Sequence, residues 1–181
     1  MSDPCYSRDS IEHGIMGVID NVVNGEWTAH ITQASDRYVE TLEANHIGSS
    51  VLAAWEQLPF EVCVDSGQAG IFSEELYPQG DNVGEYDDLN TFYGRACAAT
   101  YDEKDRTKRF GFIEEGVVSS SGFGDGGYKA FAAKDAYGRV VAVMIEFIGD
   151  EDDDCDDMNY HSDEYLDDPD GSPHGGWLDA S

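Results

Sequence analysis

The densest patterning of apolar positions lies in residues 116–148, GVVSSSGFGDGGYKAFAAKDAYGRVVAVMIEFI. Residues 117–121 predict a strand and residues 122–127 (GFGDGG) a tight loop with four glycines. A second strand is expected over 128–133, a turn over 135–138 and a third strand over 140–148. The last run, VVAVMIEFI, has the β-branched and aromatic character of a buried strand. Asp135-Ala136-Tyr137-Gly138 suits a hairpin loop, because Gly138 can take a positive φ without steric cost.

Upstream the patterns are shorter. Residues 1–14 predict a loose leader. Residues 15–23 (IMGVIDNVV), Asn24-Gly25 and residues 26–32 (EWTAHIT) predict a second hairpin, since Asn-Gly between β-prone runs is a strong turn signal. Alternation places Trp27, Ala29 and Ile31 on one face and Glu26, Thr28 and His30 on the other. His30 is then an ordinary solvent-side strand residue. Ser35 or Asp36 can cap a helix running to about His46, with Tyr38, Val39 and Leu42 as its apolar stripe and Gly48 as its stop. Residues 49–57 predict a short helix ending before Pro59. Residues 60–64 (FEVCV) predict a strand, Asp65-Ser66-Gly67-Gln68 a turn, and residues 69–72 a further pairing segment. Residues 73–90 read as loop. Residues 91–101 predict a helix with Phe92, Ala96 and Ala99 inward, weakened by Gly94. Residues 104–109 (KDRTKR) predict a solvated basic loop pairing with Asp102, Glu103 and Asp105.

These elements define an α+β fold: a mainly antiparallel sheet with hairpins, two or three short helices, and a disordered acidic C-terminal tail. Residues 1–148 are expected to form one globular domain, and residues 149–181 the tail, which has no apolar period but carries scattered aromatics such as Tyr160, Tyr165 and Trp177. At 181 residues a chain buries about 70% of its unfolded surface, enough for one core. No repeats are visible.

Charge changes the picture most. The chain has 38 acids against 10 bases, a net charge of −28. Residues 1–148 hold 25 acids and all 10 bases, and residues 149–181 hold 13 acids and no base. Such a field disfavours direct binding to nucleic acid or to an anionic membrane, and attracts basic protein surfaces and cations. No apolar run reaches the ~18 residues a membrane helix needs, and the N-terminus lacks a signal-peptide pattern, so a cytoplasmic location in a bacterial cell is expected. Cys5, Cys63, Cys97 and Cys155 show no paired spacing and are expected as free thiols. No cofactor is implied, and the oligomeric state is left open.

Three stretches together resemble a known family. They are Val64-Asp65-Ser66-Gly67-Gln68-Ala69-Gly70-Ile71-Phe72, Phe92-Tyr93 through Cys97, and Ser121-Gly122-Phe123-Gly124-Asp125-Gly126-Gly127-Tyr128, followed by the Asp135–Arg139 turn. The pattern is similar to an uncharacterised bacterial and phage domain family that carries only a domain-of-unknown-function designation. It covers about residues 60–148. The resemblance implies a bacterial or phage source and no catalytic residues.

Candidate chemistry is sparse. GFGDGG looks like a phosphate cradle, but no helix follows it and Asp125 repels phosphate, so a structural turn is expected. Asp65-Ser66-Gly67 offers a serine without a G-x-S-x-G elbow, and His13, His30 and His46 lie far from it in sequence. Asp65, Ser66 and Asp125 form the alternative catalytic set, with the two aspartates as a carboxylate pair for acid–base work. The plainer expectation is that each aspartate hydrogen-bonds its own turn. Asp150, Glu151, Asp152, Asp153, Asp154, Asp156 and Asp157, with Asp87 and Asp88, are the candidate interaction residues. They lack the order of an EF-hand loop, so no specific metal site is expected.

The function expected from these features is a non-enzymatic acidic interaction protein, phage or mobile-element encoded. It would inhibit a basic, nucleic-acid-binding host or defence protein by presenting a phosphate-like surface. A small hydrolase or ligand-binding enzyme using the Asp65 and Asp125 turns is the alternative, and an immunity-type protein that neutralises a basic toxin is a third. Acidity serving only solubility or adaptation to salt is the competing explanation.

Overall fold

The computed structural model describes residues 1–35, 38–80, 83–102 and 107–149. It shows an α+β fold with two antiparallel sheets. Among the described residues eight strands and one α-helix follow in order: β1 Trp27–Gln33, β2 Val39–His46, β3 Glu56–Val64, β4 Gln68–Phe72, α1 Phe92–Thr100, β5 Phe110–Ile113, β6 Gly116–Ser120, β7 Gly126–Lys134 and β8 Val140–Glu146. The larger sheet has the order β1-β2-β8-β7-β3 and the smaller β4-β6-β5.

The hairpin expected around Gly138 is present: β7 and β8 pair from Lys129↔Glu146 to Lys134↔Val140, and Gly138 has φ 75°. Both strands lie inside the five-stranded sheet. Their alternation therefore has to satisfy two neighbours each, and Ala130, Ala132, Val141, Val143 and Ile145 are all buried. The core lies between the two sheets. Val39 and Leu42 from β2, Val62 and Val64 from β3, and Ile145 from β8 meet Ala69 of β4 and Val117 of β6. Helix α1 covers the opposite face of the small sheet through Ala96 and Ala99 on Val118. Thr91 caps it, its Oγ1 accepting from the Gly94 N–H at 3.1 Å. Gly94, which weakens the helix in isolation, is required here: a Cβ would stand 2.1 Å from the Asp88 carbonyl oxygen.

Four expectations are corrected. The helix over 35–46 is strand β2, because its residues fill the gap between β1 and β8, where Leu42 pairs with Ile31 on one side and Ile145 on the other. A helix would have buried one narrow stripe, whereas the strand buries Val39, Leu42 and Ala44 and satisfies both ladders. The helix over 49–57 is also absent. That segment is largely exposed and irregular, and β3 begins at Glu56. Pro59 is accommodated because β3 is an edge strand with irregular register between Gln57 and Glu61.

The Asn24-Gly25 hairpin does not form. Residues 27–33 alternate as expected, with Trp27, Ala29 and Ile31 half-buried, but their partner is β2 rather than residues 15–23. The latter run as an extended strap. Ile15 O accepts from Cys63 N at 3.1 Å, and Val22 bridges Val140 in parallel. Finally, residues 1–14 are no loose leader. Ser2, Asp3 and Pro4 are buried, Ser2 pairs with Gly70, and Arg8–His13 forms a short 3-10 helix. The expected tail from residue 150 onward and residues 104–106 of the basic loop lie outside the described residues.

Candidate functional site

The β3 ladder brings the two turns singled out in the sequence together. Val64, the last residue of β3, is the register partner of Gly126, the first of β7. Asp65 and Asp125 therefore leave adjacent strands side by side at one end of the sheet. The Ser121 N–H donates to the Gly67 carbonyl at 2.9 Å, joining the glycine loop to the Asp65–Gln68 turn. Both aspartates are exposed.

Behind this rim lies a buried carboxylate that the sequence did not single out. Asp3 is fully buried. Its Oδ1 accepts from Cys5 N at 2.8 Å and Ser66 Oγ at 2.7 Å. Its Oδ2 accepts from Asp65 N at 2.8 Å and Ser66 N at 2.7 Å. Four donors on one carboxylate satisfy it thoroughly and clamp the N-terminal strap to the turn. The Tyr6 phenol donates to Asp65 Oδ2 at 2.6 Å, and Tyr77 donates to Tyr6 O at 2.9 Å. On the helix side, Gln68 Nε2 reaches Cys97 Sγ at 3.3 Å. The one sequence signal for Asp3 was the Asp3-Pro4 pair, which favours turn initiation and nothing more specific.

The electrostatics match a clamp rather than a nucleophile. Burial, reinforced by the Asp3 carboxylate, pushes the Cys5 thiol far above its ordinary value. Burial, with the Asp65 hydrogen bond, does the same for Tyr6. Tyr77 and Tyr93 are each pushed up to about 12, chiefly by burial. All four groups stay protonated at neutral pH, so they donate hydrogen bonds and do not attack. Ser66 points its hydroxyl at Asp3, which is already occupied by three other donors. The histidines serve elsewhere: His13 ends the 3-10 helix, His30 faces Glu43, and His46 bonds Ser49. Nothing in this arrangement activates Ser66.

The glycine loop is shaped from within. Ser121 Oγ and Tyr128 Oη both donate to Gly124 O at 2.7 Å, and Gly124 takes φ 104°. The exposed Phe123 ring rests on Tyr38, with centroids 5.2 Å apart. Asp88 also builds its own turn, accepting from both the backbone and the side chain of Asn90. Those bonds hold its carboxyl below the ordinary range. Asp87 is exposed beside it. Asp150, Glu151, Asp152, Asp153, Asp154, Asp156 and Asp157 lie outside the described residues. Among the described residues no group of three or more acidic, histidine or cysteine side chains is placed to hold a metal. Nor is any helix long and apolar enough to cross a membrane.

The outer surface is where charge is unspent. Exposed carboxylates occur at Asp9, Glu12, Asp20, Glu26, Glu61, Glu75, Glu85 and Glu114, on elements throughout both sheets and their connections. The cations among the described residues, by contrast, are engaged. Arg8 pairs with Glu74, Arg95 with Glu115, Lys134 with Glu56 and Arg139 with Asp135. Lys108 donates to Ala98 O and Arg109 to Lys108 O. Comparison of the chain with known protein families, characterised proteins and solved structures finds no match.

Proposed function

We propose that the protein is a non-enzymatic, acidic interaction module whose partner is a basic protein, and that it occupies a surface on that partner which otherwise holds nucleic acid. The observation that carries this reading is the distribution of charge in the folded part. Among the described residues, carboxylates are exposed on many elements while Arg8, Arg95, Lys134 and Arg139 are tied up in ion pairs. Spaced carboxylates present a field like that of phosphates to a cationic groove, and association in such a field is fast and salt-sensitive. The tail extends the same field with 13 acids and no base. Solubility alone would account for net charge, but it predicts no partner.

The test is capture from bacterial lysate by the full chain at low salt and at about 0.5 M, where the Debye length falls to a few ångströms. The expected result is retention of a basic nucleic-acid-binding protein at low salt and its release by added DNA. Retention that DNA does not disturb would overturn the proposal.

A second reading, acid–base chemistry by Asp65 and Asp125, is favoured by one observation: the register that sets the two turns side by side. Against it stands the use of Asp65 Oδ2 by the Tyr6 phenol. Exchanging both aspartates for asparagine abolishes an enzyme's activity and barely alters a charge-driven complex.

A further inference from the structure

The two sheets leave between them an open cleft of about 700 Å³. Ala29 of the large sheet and Ile71 and Val117 of the small one line it, and the strap from Met16 to Gly25 closes one side. Val18, Val22 and Phe112 stand on the same lining and are exposed. The volume lies in the range of a small-molecule site, and a contiguous apolar patch of this kind marks a surface that another group covers.

The neighbourhood limits what covers it. Residues 1–148 hold 25 acids against 10 bases, and Glu74 and Glu75 are exposed on the lining itself. The chain from residue 150 onward falls into two parts of opposite character. Residues 150–170 hold 12 acids and no base, so Tyr160 and Tyr165 sit among carboxylates that an acidic body repels. Residues 171–181, GSPHGGWLDAS, hold one acid, Asp179, and the adjacent pair Trp177-Leu178. They are the part of this segment that brings large apolar side chains with little charge. Reach is sufficient. The cleft lies beside Val143 of β8, six residues before Gly149, which is about 20 Å along a strand. Residues 150–176 span about 30 Å as a coil, and more when their charges repel one another.

We infer that this cleft is the docking site for residues 171–181 of the same chain, with Trp177 and Leu178 against Ile71, Val117 and Val22. Gly175-Gly176 places no side chain in the way of a sharp turn into the cleft. Tethering makes a weak anchor sufficient. A flexible link holds its end at an effective concentration in the millimolar range. A contact with a Kd on the order of 1 mM is then largely formed within one chain and hardly formed between chains at micromolar concentration. Docking returns the acidic spacer to the body as a loop anchored at both ends. It does not depend on the acidic surface having a basic partner.

The test uses NMR of the full chain, with the Val18, Val22 and Ile71 methyls as reporters. Nuclear Overhauser contacts from the Trp177 indole to these methyls are expected, unchanged over about a tenfold dilution. The double variant Trp177→Ala/Leu178→Ala, which alters no residue of the two sheets, should shift the three methyls and leave the Asp65 and Ser66 amides in place. A synthetic peptide of residues 171–181 should bind that variant with a Kd on the order of 1 mM, and the wild type at least about threefold more weakly, because its own segment competes. Val22→Asp, at an exposed lining position, should weaken the peptide about tenfold in folded protein. Methyls that ignore the double variant, a peptide that binds both chains equally, or indole contacts centred on Tyr38 and Phe123 overturn the inference. So do contacts that vanish on dilution, which assign the cleft to a second copy.

Discussion

The β7–β8 hairpin and the N-terminal strap both reach the centre of the molecule, and they are held there by opposite physics. The hairpin is bound by apolar area: its inward residues are buried, and its ladders continue to β2 on one side and β3 on the other. The strap makes isolated bridges, Ser2↔Gly70 and Val22↔Val140, and scattered backbone bonds such as Cys63 N to Ile15 O, and its first residues are clamped to the Asp65–Gln68 turn by one buried carboxylate and the groups that point at it. Apolar burial degrades gradually as contacts are trimmed. A polar clamp fails at once, because removing its acceptor leaves buried donors unpaired.

Substitutions can break this contrast. The largest expected effect is in the hairpin. Ile145→Ala, at a fully buried position of a central strand, should cost about 2–5 kcal/mol by the combined loss of burial and creation of a cavity, read as the denaturant midpoint. Asp3→Ala comes next, at about 3 kcal/mol, since it strands three backbone N–H groups and the Ser66 hydroxyl. Its signature should be local: amide exchange in residues 1–23 and 65–68 accelerates more than in β8. Uniform acceleration would mean that the clamp and the hairpin are one cooperative unit.

The strap also carries a pH signature. Burial lowers the Met1 amine from 8.0 to about 6, so between those values the unfolded chain binds a proton that the folded chain refuses. Stability should therefore rise as pH goes from about 6 to 8, by about 2 kcal/mol at most. Acetylating that amine should flatten the rise. The smallest effect belongs to the hairpin turn. Partial desolvation raises the Asp135 carboxyl, but hydrogen bonds from Arg139 and the Tyr137 N–H outweigh it and leave the pKa below 3.8. The contribution of this turn is present above pH 3.8 and fades as pH falls through the lowered value. Arg139→Leu should move the Asp135 carboxyl midpoint, followed by NMR, upward and change stability little, because the Arg139 side chain is about half exposed.

The same contrast explains what was legible. Elements organised by burial announce themselves: residues 117–148 have strand periodicity and a turn glycine, and Thr91 with Phe92, Ala96 and Ala99 marks α1. Elements organised by a distant partner do not. Residues 39–46 carry a helical stripe as readily as a strand face, and only the vacancy between β1 and β8 decides for the strand. Asn24-Gly25 is a sound turn signal, but no local signal says that residues 27–33 find a better partner downstream. Asp65 and Asp125 could be named from turn chemistry, and their meeting follows from a register that periodicity does not encode. Asp3 and Glu115 could not be named at all. A lone acid in a chain with 38 of them carries no mark of burial.

Interior carboxylates thus hold the fold, and the proposed function rests on the exterior ones. The measurement that tests this most directly is the affinity of the full chain for its captured basic partner across a salt series, for the wild type and for the Asp65→Asn/Asp125→Asn double variant. The account predicts an affinity that falls steeply and linearly in log–log form with salt, with nearly the same slope in the double variant. A salt-independent affinity that the double variant abolishes would contradict it and move the function to the paired turns.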